Sequence, residues 1–244
     1  MFDDRYLFVE YIATNPKNLE KSKIRIPEVT RSLTLGEIAM CKTIFANSIR
    51  YQEIKINARN YMTMGAMGVG GEIYFNPKRY EVDYSMASRF IQEWFIHEMT
   101  HVWQYQKGYP VFKIGLDLQA VMITNNVEPY MYNIMASKLD TNNQQILSSF
   151  QDYNMESQAC ILAHYYAIFI NPPPKGDKKE TLKTIIGNNH KGYDYLYIPD
   201  STKNMRLANL KRVAESFIKS DKNSNWLPKK WIDFNYLVKE AKGV

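Results

Sequence analysis

Two histidines and a glutamate near the middle of the chain have the types and the spacing of a metal-dependent hydrolase site. They form the sequence HEMTH, in which His97 and His101 stand four residues apart with Glu98 beside the first. On an α-helix this spacing puts the two imidazoles one turn apart and about 40° apart around the axis, so both can reach one ion. Zn²⁺ suits imidazole ligands, and a catalytic zinc site uses three protein ligands with a fourth position for water. Glu98 is placed to take a proton from that water as a general base.

The motif has this meaning only on a helix, and the surrounding sequence predicts one. No Gly or Pro interrupts the stretch from Tyr84 to Lys107, and Asp83 or Ser85 can cap its start. Gly108 offers a left-handed end. Apolar residues fall nearly all round this helix, among them Met86, Phe90, Trp94, Phe95, Met99 and Trp103. Such a helix is predicted to be buried, and buried histidines and acids need a partner that a metal ion would supply.

A second predicted helix carries a candidate for the third ligand. The segment from Tyr153 to Phe169 has helical spacing and is stopped by three consecutive prolines. Its Glu156 shares one narrow face with Ala159, Ala163 and Ala167, and small residues allow another helix to approach closely. We therefore expect Glu156 to reach a metal ion held on the first helix.

Other acids stay open as ligands on the sequence alone. The rivals of Glu156 are Asp117, Glu128, Asp140 and Asp152, and the last of these occupies a predicted helix cap. His164, two turns beyond Glu156, is predicted to be a structural histidine outside the site. His190 is predicted to lie in a loop.

The chain before the first helix predicts a helix and a short sheet. A capping box at Thr34 opens a predicted helix from Leu35 to Arg50, and residues 53–57 alternate as a strand does. A glycine-rich stretch at 64–71 leads to a short strand of Ile73, Tyr74 and Phe75. This strand is predicted to be a sheet edge that pairs with an extended peptide substrate, with an ordinary hairpin tip as the alternative. Further predictions are a strand at 195–198 and a helix at 204–219.

Length and composition allow one large globular domain or two small ones, and because no repeat or domain boundary stands out we expect one. The 244 residues are 45% hydrophobic, which is ample for a core. Lys and Arg number 31 against 25 Asp and Glu, and because this small excess is dispersed we expect no nucleic-acid partner. The two cysteines, Cys41 and Cys160, are predicted to be small buried hydrophobic residues and not a disulfide or a thiolate metal site.

The amino terminus carries acidic residues where a signal peptide would carry basic ones. No apolar stretch is long enough to span a membrane. We therefore expect the protein to stay in the cytoplasm of the producing cell unless a dedicated machine exports it.

Three segments together resemble the zincin-type metallopeptidase domains linked to bacterial type VI secretion. They are the longer string HEMTHVWQ from His97 to Gln104, Ile73-Tyr-Phe before it, and Asn154-Met-Glu-Ser-Gln-Ala159 after it. Such domains occur at the end of VgrG spike proteins or near Rhs elements. The resemblance implies a gluzincin-like site with His97, His101 and Glu156 on zinc and Glu98 as the base. It also implies an effector exported by type VI secretion to a recipient's periplasm, with a spike protein and an immunity protein as partners.

We therefore predict a mostly helical α+β domain across residues 1–244, with a short sheet before the HExxH helix. Its zincin-like core covers residues 33–169, and extensions at 1–32 and 170–244 pack on this core. It would bind one Zn²⁺ per chain and hydrolyse a peptide or protein substrate. Tyr153, Tyr130 and Tyr132 are candidates for the oxyanion donor. The alternatives are a peptidoglycan amidase or endopeptidase, and a non-catalytic protein with a structural metal, which would leave Glu98 without a use.

Overall fold

Helices and a small mixed sheet make up the part of the chain that the structure describes. The structure, a computed structural model, describes residues 27–62, 66–125, 129–130, 132–172 and 200–229. Within these ranges it contains a four-stranded sheet, a separate two-stranded hairpin and five α-helices. The predicted α+β class is confirmed. His190, the strand at 195–198 and the rival ligand Glu128 lie outside the described residues.

The four-stranded sheet lies directly before the HEMTH segment in the chain. Its strands are β1 (Val29–Ser32), β2 (Lys55–Ala58), β3 (Ala66–Val69) and β4 (Glu72–Phe75). Their order is β1-β2-β4-β3, with β4 parallel to β2 and antiparallel to β3. β1 falls before the predicted core range of 33–169, yet it pairs along its length with β2 and belongs to the sheet.

The sheet order corrects the expectation that Ile73, Tyr74 and Phe75 form an edge. Ile73 lies opposite Ile56 of β2 on one side and opposite Gly68 of β3 on the other, so β4 is an inner strand. The two edge strands are β1 and β3, and β3 lies inside the glycine-rich stretch at 64–71. The turn between β3 and β4 contains Gly70 and Gly71, both with positive φ, and a tight hairpin turn of this kind needs such residues.

Helix α1 spans Leu35–Phe45 and begins as predicted. The hydroxyl of Thr34 accepts the N–H of Glu37, and the Glu37 carboxylate accepts the N–H of Thr34 in return. The helix ends five residues before the predicted Arg50, where Ala46 takes a positive φ of 49°. One buried face of α1, including Cys41 and Ile44, packs into the core.

Helix α2 spans Arg89–Gln106 and carries the HEMTH segment. It begins five residues later than predicted. Asp83 caps a separate 3-10 turn over Tyr84–Met86, and Met86, expected on a buried helix, is 83% exposed. At the other end Gly108 has a φ of 89°, as the sequence predicted for the residue after the helix.

Two further helices and a hairpin follow α2 in the chain. Helix α3 (Val111–Asn125) starts after Pro110, and a hairpin of β5 (Ser137–Leu139) and β6 (Gln145–Leu147) follows. Helix α4 (Met155–Tyr165) is capped by Asn154, whose side chain accepts the N–H of Ser157, and it continues as a π-helix to Ile170. α4 packs along α2, and the predicted alanine face at 159, 163 and 167 is buried.

The last helix fills the far side of the core. Helix α5 (Asp200–Ile218) confirms the helix predicted at 204–219. Its Phe217 ring contacts the rings of Phe45, Trp103 and Phe150, and therefore joins α1, α2 and the turn before α4. Cys41 and Cys160 are buried and unbridged, as predicted. Among the described helices none combines the length and the apolar character that a membrane span requires.

Candidate metal centre

The side chains of His97, His101 and Glu156 meet at one point between α2 and α4. His97 Nε2, His101 Nε2 and Glu156 Oε2 form a triangle whose three sides are all 3.2 Å. The two imidazoles come from successive turns of α2, and the carboxylate comes from the first turn of α4. The structure therefore brings together, in one cluster, the three residues that the sequence suggested as metal ligands.

This triangle fits a tetrahedral metal ion better than it fits hydrogen bonding alone. Ligand atoms held roughly 2.0 to 2.1 Å from a tetrahedral zinc lie about 3.3 Å from one another. A ring N–H can point at only one of the other two atoms, so a proton cannot satisfy all three contacts at once. Two imidazole nitrogens and one carboxylate oxygen are also the ligand types that zinc accepts. The residues present fit a divalent transition-metal ion.

The electrostatics of the cluster favour one added positive charge. Burial disfavours a charged imidazole at His101, but the carboxylate of Glu156 outweighs this effect and raises the pKa of His101 to about 9. Burial alone would raise the pKa of Glu156. The neighbouring histidines outweigh it and lower this pKa well below the ordinary carboxyl value. A proton or a metal ion can supply the charge, so the two compete for this site.

Glu98 lies beside the triangle without being part of it. One of its oxygens, Oε2, accepts the backbone N–H of Gly68 on β3 at 2.9 Å. The side chain is 5% exposed, and this burial raises the pKa of the Glu98 carboxyl, although the two histidines act against it. This upward shift makes the Glu98 carboxylate a better proton acceptor than an exposed glutamate.

A cavity of about 320 Å³ opens beside the cluster, and His97, Glu98, His101 and Glu156 all contribute to its wall. Edge strand β3 forms one side, and α3 forms another. Much of the lining is apolar, including Met67, Trp94, Val111, Leu116, Leu118 and Met122. The space can therefore accept an extended chain with an apolar side chain next to the candidate metal ligands.

The three tyrosine candidates have different surroundings. Tyr130 lines the cavity, with its ring centroid 6.0 Å from that of His97. Tyr132 lies 2.7 Å from His164 Nδ1 through its hydroxyl, and the Tyr153 hydroxyl donates to the carbonyl of Asn133. Neither of the last two lines the cavity, since both rings are directed into the core. Of the three, Tyr130 alone is placed to contact a substrate.

None of the rival carboxylates that the structure describes belongs to the cluster. Asp152 accepts the N–H of Ser149 at a helix cap and pairs with Lys138. Asp140 accepts the N–H groups of Asn142 and Gln144 in the turn between β5 and β6. Asp117 lies on α3 and is not part of the cluster.

His164, which was expected to be structural, lies outside the triangle but lines the cavity. Its Nε2 is 3.5 Å from Oε1 of Glu93, which precedes His97 by one turn of α2, and both side chains line the cavity wall. Sequence reasoning did not single out Glu93. Its position four residues before His97 on the same helical face was the available signal.

Two other contributors were missed. Gly68 lies in the glycine-rich stretch, for which the sequence predicted no contact with the site, and its N–H donates to Glu98 from the outer side of β3. Gln104 ends the HEMTHVWQ string, which predicts no role for it, yet its Oε1 lies 2.9 Å from His101 Nδ1. Its spacing of three residues from His101 could have indicated this contact.

Comparison with known proteins relates part of this chain to a type VI secretion spike protein. No family model matches the chain. A stretch of 144 residues, 57% of the chain, is 33% identical to the type VI secretion system spike protein VgrG2b of Pseudomonas aeruginosa, and it corresponds to 13% of that protein's length. A solved structure of the effector domain of VgrG2b is 32% identical over 62% of this chain and 79% of that domain, with a TM-score of 0.46. The relationship rests on the sequence identity.

Proposed function

This chain belongs to the family of the VgrG2b effector domain, and from that premise we propose that it is a type VI secretion effector domain acting as a zinc-dependent metallopeptidase with a zincin fold. The observation that carries the proposal is the triangle of His97, His101 and Glu156 with Glu98 buried beside it. A purely structural metal site would have four protein ligands and no use for an adjacent acid.

The metal would be held by His97, His101 and Glu156. A zinc ion bound there supplies Lewis acidity, which polarises a carbonyl group and lowers the pKa of water. Glu98 contributes the acid–base chemistry of the chain itself: its carboxylate accepts a proton from the attacking water and returns it to the leaving amine. The N–H of Gly68 orients one carboxylate oxygen for this task, because it holds Oε2 at 2.9 Å.

The edge strand β3 gives the substrate a place to bind. Gly68 directs its N–H away from β4 and toward α2, so this side of β3 faces the catalytic acid. An extended peptide can add to such an edge through backbone hydrogen bonds while one of its side chains enters the apolar part of the cavity. We propose that β3, and not β4 as the sequence suggested, is the substrate-binding strand.

The secretion context adds partners to the proposal. By its name VgrG2b is a spike protein of the type VI secretion system, and the relative of known structure is its effector domain. We propose that this chain reaches its target through such a spike, with a recipient cell's periplasm as the destination and an immunity protein protecting the producer.

The test compares wild type with Glu98→Gln, which keeps the shape of the side chain and deletes the basic carboxylate. Zinc content and hydrolysis of an unfolded protein and of purified peptidoglycan sacculi are measured with and without chelator. We expect one zinc in both proteins, and turnover of the unfolded protein lower by roughly 10²- to 10⁴-fold in the variant. Glu53→Gln, which changes an exposed glutamate paired with Arg50, is the matched control.

Three results would contradict the proposal. Loss of zinc from Glu98→Gln would make Glu98 a ligand. Full activity in that variant would place the chemistry elsewhere. Cleavage of sacculi without cleavage of protein would favour the peptidoglycan hydrolase.

A further inference from the structure

Two buried glutamines form a hydrogen-bonded chain behind His101. Gln104 on α2 and Gln158 on α4 are both fully buried. Gln104 Oε1 lies 2.9 Å from His101 Nδ1, and Gln104 Nε2 donates to Gln158 Oε1 at 3.0 Å. Gln158 Nε2 in turn donates to the backbone carbonyls of Phe150 and Trp226, each at 3.0 Å. The chain of contacts therefore runs from the candidate metal centre to the backbone carbonyls of Phe150 and Trp226.

The carbonyls at the far end determine the direction of every hydrogen bond in this chain. The oxygens of Phe150 and Trp226 can only accept, so the NH₂ group of Gln158 must face them and its Oε1 must face Gln104. Gln104 must then present its NH₂ group to Gln158 and its Oε1 to the imidazole. An oxygen at that position requires a proton on His101 Nδ1, and the lone pair of His101 consequently lies on Nε2, the atom in the metal triangle.

The same amide also ties the two ligand-bearing helices together. Gln104 Nε2 donates a second bond, of 3.2 Å, to the carbonyl of Met155, which immediately precedes Glu156. One side chain thus contacts the histidine ligand on α2 and the backbone next to the carboxylate ligand on α4. His97 has a weaker neighbour, since its Nδ1 lies 3.7 Å from the Sγ of Cys160.

We propose that Gln104, oriented by Gln158, is a positioning residue that holds His101 as the Nδ1–H tautomer and sets the distance between His101 and Glu156. This inference rests on the proposed metal site but does not require peptidase activity. An acceptor behind a ligating imidazole fixes its ring and raises its basicity, and removal of such partners typically weakens metal binding roughly 10- to 100-fold.

The experiment uses three variants and the zinc-loaded wild type. Gln104→Met keeps the side-chain length and removes the amide. Gln104→Glu keeps the acceptor for His101 but loses both donated bonds. Gln106→Met, on the same helix, removes a surface amide whose oxygen accepts the N–H of Arg50. Zinc affinity is measured by competition with a chelator, stability by denaturant unfolding of the metal-free proteins, and the ring proton by ¹⁵N-resolved NMR.

We expect Gln104→Met to bind zinc roughly 10- to 100-fold more weakly than wild type. Gln104→Glu should bind zinc at least about tenfold more tightly than Gln104→Met. The stability of Gln104→Glu should stay as low as that of Gln104→Met, because both variants leave the Gln158 oxygen and the Met155 carbonyl without their donor. Gln106→Met should match wild type in both measurements. A merely structural glutamine would make zinc affinity follow stability, and that parallel loss would overturn the proposal.

The position of the His101 ring proton can be measured in the wild type, so this test does not depend on the folding of any variant. The zinc-loaded wild type should show a slowly exchanging proton on Nδ1 of His101, whereas a proton on Nε2 would overturn the proposal. A wild type that binds no zinc would overturn both this inference and the proposed function. Zinc binding without cleavage of any peptide would contradict the proposed function alone.

Discussion

The backbone N–H of Gly68 donates to Glu98 Oε2 at 2.9 Å, and this bond joins the edge strand of the sheet to the acid of the HEMTH helix. The strand and the helix approach so closely that a Cβ atom on Gly68 would lie 3.0 Å from the Glu98 carbonyl oxygen and 3.0 Å from His101 Cβ. A larger residue at position 68 must therefore shift the strand or the helix by a few tenths of an ångström.

Gly68→Ala should lower peptide turnover while the protein keeps its zinc. The added methyl group must push β3 away from α2 by a few tenths of an ångström, which lengthens the bond that orients Glu98. We expect a loss of roughly 10- to 100-fold in kcat, measured on an unfolded protein substrate. Gly115→Ala on α3 is the control, since its Cβ would meet only Met155 Cε at an ordinary 3.8 Å and zinc binding should not change. Wild-type turnover in Gly68→Ala would mean that Glu98 does not depend on this contact.

Glu156→Ala should abolish tight zinc binding, whereas Asp152→Asn should not. Glu156 Oε2 lies 3.2 Å from both imidazole nitrogens, while Asp152 caps a helical turn and pairs with Lys138. Metal content of the purified proteins by mass spectrometry checks this. Asp152→Asn should lose only stability, by about 0.5 to 2 kcal/mol for a weakened cap. The opposite pattern would make Asp152 the third ligand.

Ala159→Leu should weaken zinc binding although residue 159 is no ligand. Ala159 is fully buried one turn after Glu156, on the helix that packs along α2. A larger side chain there forces α4 away from α2, at a typical cost of about 1 to 3 kcal/mol. Ala120→Leu, at an exposed position of α3, is the matched control. Unchanged zinc affinity and stability in Ala159→Leu would show that the contact between the helices tolerates the added volume.

Tyr130→Phe and Tyr132→Phe should have separate effects. Loss of the Tyr130 hydroxyl, at the cavity wall, should lower kcat and leave unfolding free energy within about 0.5 kcal/mol of wild type. Loss of the Tyr132 hydroxyl removes the 2.7 Å contact with buried His164 and should cost about 1 to 3 kcal/mol of stability with zinc retained. Turnover and urea unfolding measure the two effects, and unaltered turnover in Tyr130→Phe would exclude it as the oxyanion donor.

Zinc affinity should rise with pH up to about pH 9. Burial disfavours the charged imidazole, but Glu156 raises the pKa of His101 to about 9, so below that pH zinc must displace one proton. The apparent dissociation constant should fall by about tenfold per pH unit between pH 7 and 9 and then level off. Glu156→Gln removes the charge that raises the pKa, so the residual binding of that variant should lose this slope near pH 7.

The metal-free protein should show the opposite dependence in its stability. The folded pKa of His101 lies above the unfolded value of about 6.5, so its contribution is fully present below pH 6.5 and is lost as pH rises through about 9. Urea unfolding of chelator-treated protein at pH 6, 7.5 and 9 should give a decreasing free energy. A flat profile would mean that His101 and Glu156 are not paired in solution.

Several features of the candidate site follow from the sequence because they are local. The spacing of His97 and His101 acts through helical geometry, because any two residues four positions apart lie on the same face of a helix. Glu156 could be suggested for a related reason, since the alanines on its face predict a close helix partner. The helix start was less accurate, because Asp83 caps an extra turn over Tyr84–Met86 and not the helix that carries the histidines.

Only the tertiary structure decided which distant groups meet these residues. The choice of β3 over β4 as the edge depends on which of these two strands pairs with β2, and both strands are equally short in the sequence. Tyr130, Tyr132 and Tyr153 are chemically alike, so only packing against His164 and Asn133 separates them. The direction of the Gln104 and Gln158 amides is likewise determined by backbone carbonyls that the sequence does not place. Local spacing thus determines which side chains can share a metal, whereas the packing of helices and strands determines which groups orient them.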